Sequence, residues 1–349
     1  MKLSKVLLAS VASLSAVTFA LPVGQSLVEG PAIVLAQEEA VTIRRHYGAA
    51  HGDRGFTAVT VLLKGDVLVD AIIEEFQFGD AGGAFTGVPN SDSDFGQNYA
   101  EGKVLFSKNE NNEAYSAAMA EKAGSTVALV DNYKAIVEAT KGKTADEILA
   151  LADEVTALGE DGNVSDVVSG ATLADTAGYL TVLADAIKEG AVFEGTSASD
   201  GVVLKQGLVA PHGTKSFGLV SVAVDGDKVV AAAIDEFQIG AADNFTGVPN
   251  SDAAFGEGLA EGQALFSKLV NNEAYSAAMA EKAGSTVTLL DNYKAVAAFS
   301  QGKTFEEIQA GIDEVTALGE DGNVSDVVSG ATLADTSGYL QAILEVAQK

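Results

Sequence analysis

The sequence predicts an α+β protein made of two tandem homologous domains, each a mostly antiparallel sheet with packed helices. Residues 85–180 and 245–340 match at a constant offset of 160, with about three-quarters of the positions identical. Within each copy, segments of alternating apolar residues come first and segments of helical periodicity follow. Of the 349 residues, 47% are hydrophobic and 20% charged, enough for each copy to bury a core. A repeat of this length exceeds any solenoid unit and reads as a duplicated domain.

The chain opens with Lys2 and Lys5, followed by an uncharged apolar stretch from Val6 to Leu21. Val34 and Ala36 occupy the −3 and −1 positions before Gln37, so residues 1–36 read as a signal peptide cleaved after Ala36. A cut after Ala20 is an alternative. An uncleaved anchor is another, although the apolar run falls short of the roughly 20 residues that a span prefers. The first domain is expected over 41–190 and the second over 203–349. The linker, 191–202, contains Gly and Ser between Glu194 and Gly201 and reads as flexible.

Each domain begins with a hairpin. Phe56 to Phe78 alternates around Lys64-Gly65-Asp66, with Val59, Val61 and Leu63 on one side. Phe217 to Ile239 repeats the pattern around Asp225-Gly226-Asp227. The copies diverge here, yet His51-Gly52 still pairs with His212-Gly213, and Glu75-Phe76-Gln77 with Glu236-Phe237-Gln238. A helix follows from Asn112 to Ala123, with Gly124 as its C-cap. Thr144-Ala145-Asp146-Glu147 is a capping box for the next. The last helix is expected from about Leu173 to Ile187, preceded by a short apolar strand end at Asp166-Val167-Val168.

Composition narrows the function. Lys and Arg number 21 against 49 Asp and Glu, a net charge of −28 that repels nucleic-acid phosphates and anionic lipids. The absence of cysteine excludes disulfides, thiolate metal sites and covalently attached c-type haem, and three histidines leave little room for a multi-haem wire. Redox chemistry would need a bound organic cofactor. Asp166-Val167-Val168-Ser169-Gly170-Ala171-Thr172 recurs as Asp326-Val327-Val328-Ser329-Gly330-Ala331-Thr332. Ser169 and Thr172 offer hydroxyls, and Gly170 permits a close backbone approach. The N–H groups of a following helix would suit an anion such as phosphate. The plainer reading is that Ser and Thr only cap that helix.

The motif Asp-x-x-Ser-Gly-Ala-Thr resembles the flavinylation signature of the FMN-binding domain family, which includes extracellular electron-transfer flavoproteins of Gram-positive bacteria. The resemblance covers about residues 45–349. It implies two FMN groups, phosphoester-linked to Thr172 and Thr332 by a flavin transferase that uses FAD. It also implies recognition by Asp166, Ser169, Gly170 and Ala171, and by Asp326, Ser329, Gly330 and Ala331. Many members carry Glu-Thr-Pro-Gly after the hairpin; Phe85 to Pro89 and Phe245 to Pro249 stand there instead.

Other residues have two readings each. His51 and His212, near Arg54 and Lys215, are either loop histidines or cations beside a flavin. Met119 and Met279, with Tyr115 and Tyr275, face either a core or a ligand. Glu75 and Glu236 are expected as exposed strand-end carboxylates, with acid/base work as the alternative. Asp161-Gly162-Asn163 imitates the start of a calcium loop but lacks its central Gly and terminal Glu.

The expected function is an exported flavoprotein at the cell surface or outside the cell. It would pass electrons from a membrane quinone or NADH dehydrogenase to extracellular acceptors, as a carrier and not as a substrate-specific oxidoreductase. The alternative is a secreted acidic adhesion or ligand-binding module without flavin.

Overall fold

Alternating apolar residues drive the front of each repeat into strands. In the computed structural model, which describes residues 39–159, 161–319 and 322–349, the first repeat forms β1 (Ala40–Gly48), β2 (Gly55–Lys64), β3 (Val67–Asp80) and β4 (Lys103–Ser107). With β5 (Ala191–Ser197) they make an antiparallel sheet of order β4-β3-β2-β1-β5. The second repeat forms β6 (Val203–Val209), β7 (Ser216–Asp225), β8 (Lys228–Ala241), β9 (Gln263–Ser267) and the short β10 (Lys303–Thr304). Their order is β10-β8-β7-β6, with β9 also on β8. The expected signal peptide lies outside the described residues.

The hairpins stand where the alternation places them. Lys64 pairs with Val67 across a two-residue turn whose Gly65 has φ +58°. Asp225 pairs with Lys228 across a turn whose Gly226 has φ +65°. A left-handed glycine at the first turn position matches the twist of the strands.

The helices of the first repeat are α1 (Asn112–Ala123), α2 (Leu129–Thr140), α3 (Ala145–Ala157) and α4 (Thr176–Glu189). Those of the second are α5 (Asn272–Ala283), α6 (Leu289–Ser300), α7 (Phe305–Ala317) and α8 (Thr336–Gln348). As expected, α1 stops at Gly124, which is left-handed with φ 65°, and the Thr144–Glu147 capping box opens α3. The α+β class therefore holds, with two antiparallel sheets and eight α-helices among the described residues.

Period two sorts the strand residues between two faces. Val59, Val61 and Leu63 of β2 pack with Ile136, Ile148 and Leu183 of the helices. Phe56, Ala58 and Phe76 face the opposite way and meet Phe217, Leu219 and Phe237 of the other repeat. The sheets thus share an aromatic seam, with helices covering their outer faces. Phe56 and Phe76 lie 5.0 Å apart between ring centroids, and Phe76 and Phe237 5.7 Å.

Three expectations are corrected. Residues 191–202 are not a flexible connector: 191–197 form β5, paired with β1, and Phe193 is fully buried. Gly195 serves close packing, since a Cβ there would lie 2.7 Å from Ala231 Cβ and 2.8 Å from Val41 O. The described residues fall in one compact unit, and Val41, Ile43, Leu62 and Phe193 belong to the same core as the second repeat's helices. Finally, Asp166-Val167-Val168 is no strand end, because residues 164–166 form a 3-10 turn, and α4 starts at Thr176 instead of Leu173.

Candidate functional site

The Ser-Gly-Ala-Thr motif forms a turn between that 3-10 segment and α4. Ser165 Oγ donates to Ala171 O at 2.7 Å and closes the turn. Asn163 Nδ2 donates to Asp166 Oδ1 at 3.1 Å, so Asp166 braces it from outside. Gly170 has φ +89°, a left-handed conformation that L side chains avoid, and a Cβ there would lie 3.3 Å from Ala135 Cβ. Ala171 is wholly buried in the core. Ser169 and Thr172 are exposed. The second copy repeats this arrangement, with Gly330 at φ +88°, Ala331 buried, Ser329 and Thr332 exposed, and Asp326 braced by Asn323 at 3.0 Å.

Three residues separate Thr172 from the start of α4 at Thr176, so the motif does not present the helix's first N–H groups. The Thr172 N–H instead donates to Asn132 Oδ1 at 2.6 Å, and its hydroxyl donates to the same oxygen at 3.1 Å. Asn132 is buried in the first turn of α2, and its Nδ2 donates to Ala128 O at 3.0 Å. Asn292 holds Thr332 in the same way, at 2.6 and 3.2 Å. The signal for this clamp was present in the identical Asp-Asn-Tyr-Lys-Ala segments of both copies, and sequence reasoning missed it.

Each threonine stands on a cleft between the C-terminal end of the repeat's first helix and the segment leading into its last. The first cleft measures about 470 Å³ and is lined by His51, Lys108, Tyr115, Met119, Thr172 and Asp175, among others. The second measures about 490 Å³ and carries His212, Lys268, Tyr275, Met279, Thr332 and Asp335. The fold therefore gathers residues that sequence reading had treated separately. His51 Nδ1 lies 2.6 Å from Asp175 Oδ2, and His212 Nδ1 the same distance from Asp335 Oδ2. Tyr115 and Met119 do both things considered for them: they touch the core and line the cleft. Arg54 and Lys215 are exposed and are not among the lining residues.

Glu75 and Glu236 are not exposed strand-end carboxylates. Each strand continues past them, and they are at most 1% exposed beneath the clefts. Glu75 Oε2 accepts from Lys108 Nζ at 2.8 Å, Tyr133 OH at 2.5 Å and Tyr179 OH at 2.8 Å. Glu236 Oε2 accepts from Lys268 at 3.0 Å, Tyr293 at 2.8 Å and Tyr339 at 2.7 Å. Burial acts most strongly and would discharge Lys108, but the Glu75 charge, the hydrogen bond to Glu75 and the Tyr115 contact together outweigh it and hold the ammonium above its ordinary pKa; Lys268 is raised by Glu236 and Tyr275 in the same way. Burial likewise pushes the Glu236 carboxyl up, yet Lys268 and the hydroxyls of Tyr339 and Tyr293 bring it below the ordinary value. Lys108 Nζ also lies 4.7 Å from the Tyr115 ring centroid, which links this fixed cation to the cleft wall.

A separate cavity of about 460 Å³ lies at the seam, lined mainly by apolar groups of both repeats, including Tyr47, Val248, Pro249 and Leu269. Residues Thr246 to Pro249 therefore line the seam in the second repeat. Comparison with protein-family models, with curated proteins and with solved structures gave no match. The resemblance to FMN-binding domains thus rests on the motif and its duplication.

Proposed function

We propose that this chain is an exported flavoprotein carrying two covalent FMN groups, on Thr172 and Thr332, that moves electrons from a membrane donor to extracellular acceptors. The observation that carries the reading is the duplicated placement of an exposed threonine hydroxyl on a cleft of small-molecule size. The residues fit a phosphate-tethered ring system. The hydroxyl is open to a flavin transferase acting with FAD. Asn132 would still hold the Thr172 N–H after the hydroxyl had lost its proton to esterification. Tyr115 and Met119 offer an apolar wall, and Lys108, ion-paired with Glu75, presents its ammonium at the cleft wall.

Bound flavin supplies a store of two electrons that can be released singly. The protein's part is to tether, wall and bias that store electrostatically. A covalent link keeps the cofactor from diffusing away outside the cell. A membrane quinone or NADH dehydrogenase suits the donor role, and the acidic surface favours neutral or cationic exchange partners over anionic ones. Intact mass of protein from its native host tests the reading. Two FMN adducts are expected, Thr172→Ala and Thr332→Ala each removing one, and the double variant should show no in-gel flavin fluorescence. Unmodified native protein, or both adducts surviving either single change, would overturn it.

A further inference from the structure

We propose that each repeat completes the other's cleft: Asn250 positions His51 in the first, and Asn90 positions His212 in the second. His51 reaches its cleft on the loop between β1 and β2, and that loop is held from the far side of the seam. Asn250 Nδ2 donates to Gly52 O at 2.9 Å and Gly55 O at 2.7 Å, while the Phe255 N–H donates to Asp53 O at 2.9 Å. The exchange is reciprocal. Asn90 Nδ2 donates to Gly213 O at 3.0 Å and Ser216 O at 2.7 Å, and the Phe95 N–H donates to Thr214 O at 2.9 Å.

The straps are built to be stiff. Asn90 and Asn250, with φ 65° and 66°, are the non-glycine residues of positive φ among the described residues. Such a conformation persists only where the surroundings over-determine it, and asparagine tolerates it best. Phe95 and Phe255 anchor the straps in the seam, with Phe255 5.4 Å from Phe56 and Phe95 5.3 Å from Phe217. Gly96 and Gly256 let each strap fold on itself, since a Cβ there would lie 1.8 Å from Ser91 O and 2.1 Å from Ser251 O.

Position explains why these bonds matter to the clefts. Asn250 grips the carbonyl of the residue next to His51, whose ring sits on Asp175. Releasing that peptide lets it rotate and swing the imidazole away from the carboxylate. The threonine, its Asn clamp and the buried lysine are held by bonds within one repeat, whereas the loop that carries the histidine is also held from the other. Asn90 and Asn250 are thus positioning residues acting across the repeat boundary. This holds whatever ligand the clefts take, so its test needs none.

With three histidines in the chain, ring spectra of the full ¹⁵N-labelled protein are simple to assign by His→Gln changes. Asn250→Gly permits the left-handed backbone and deletes the side chain with its amide. It should shift the His51 ring signals and speed amide exchange over residues 51–55 about tenfold or more, leaving His212 unmoved. Asn90→Gly should do the converse, and Asn250→Val, which also strains the backbone, should exceed Asn250→Gly. The proposal is overturned if a variant disturbs the histidine of its own repeat, both equally, or neither. Global unfolding of Asn250→Gly would also overturn it, marking the strap as a general staple.

Discussion

Lys108 carries a charge at 1% exposure, and such a group is tolerated only beside an opposite charge with its hydrogen bonds satisfied. Lys108→Met would leave the Glu75 carboxylate buried with two tyrosine donors and no counter-charge. The expected cost is about 3–5 kcal/mol. Adding Glu75→Gln should restore most of it, since the pair is then replaced by neutral groups of similar size; urea denaturation at neutral pH checks both. Glu74, the neighbour that points away from this pair, has no ion-pair partner among the described residues. Burial pushes its carboxyl from 4.5 up to about 8, against the opposing hydrogen bonds from Ser107, Asn109 and Glu75. Between those values the native state holds a proton that the unfolded chain has released. Stability should therefore fall as pH rises from about 4.5 to about 8, with a slope of up to about 1.4 kcal/mol per pH unit from this one group. Glu74→Gln should remove that contribution, so its advantage over the native chain grows across this range. Denaturation midpoints at pH 5, 7 and 9 measure the difference, and an advantage independent of pH would refute the assignment.

Elements whose local rules agree were legible in the sequence. Thr144 and Glu147 announced α3, Gly124 ended α1, and the alternation through Val59, Val61 and Leu63 placed β2 against the helices. The same reading failed where tertiary packing decides. Gly195 looked like linker chemistry because sequence alone does not distinguish a glycine chosen for freedom from one chosen for lack of a Cβ. Glu75 looked exposed because its three neutralising partners come from residues 33, 58 and 104 positions away. The candidate threonines were legible as a motif, but Asn132, Lys108 and the cleft itself were not. They reach Thr172 only through the packing of α1, α2 and β4. One prediction follows for β5. Phe193 is its buried anchor, so Phe193→Ala should cost about 3–5 kcal/mol as a core cavity. A solvent-exposed linker residue would cost less than about 0.5 kcal/mol, and chemical denaturation separates the two.

At the scale of the molecule, the duplication has produced one body and not two beads. Residues of β1, β2 and β5 lie in the core that the second repeat's helices cover. Six buried phenylalanines, three from each repeat, meet at the seam, and half-buried Phe78 packs against them. Among the described residues, even the remaining buried cation belongs to the shared region: Arg45 of β1 donates to Leu219 O at 2.7 Å and Ser221 Oγ at 2.6 Å in the other repeat. Separating the halves would expose these rings and strand that guanidinium, so neither half retains its stability when the other melts. Calorimetry should therefore show a single unfolding transition whose calorimetric and van't Hoff enthalpies agree, as for one cooperative unit. Phe76→Ala, at the centre of the seam, provides the sharper arm. In a cooperative body it lowers the whole transition, because the cavity weakens a core that both repeats share. In a pair of independent domains it would split the trace, lowering the melting of residues 39–197 and leaving the second repeat where it was. Two resolved transitions in the native chain, or a split in this variant, would show that the seam is only a contact between domains that fold by themselves.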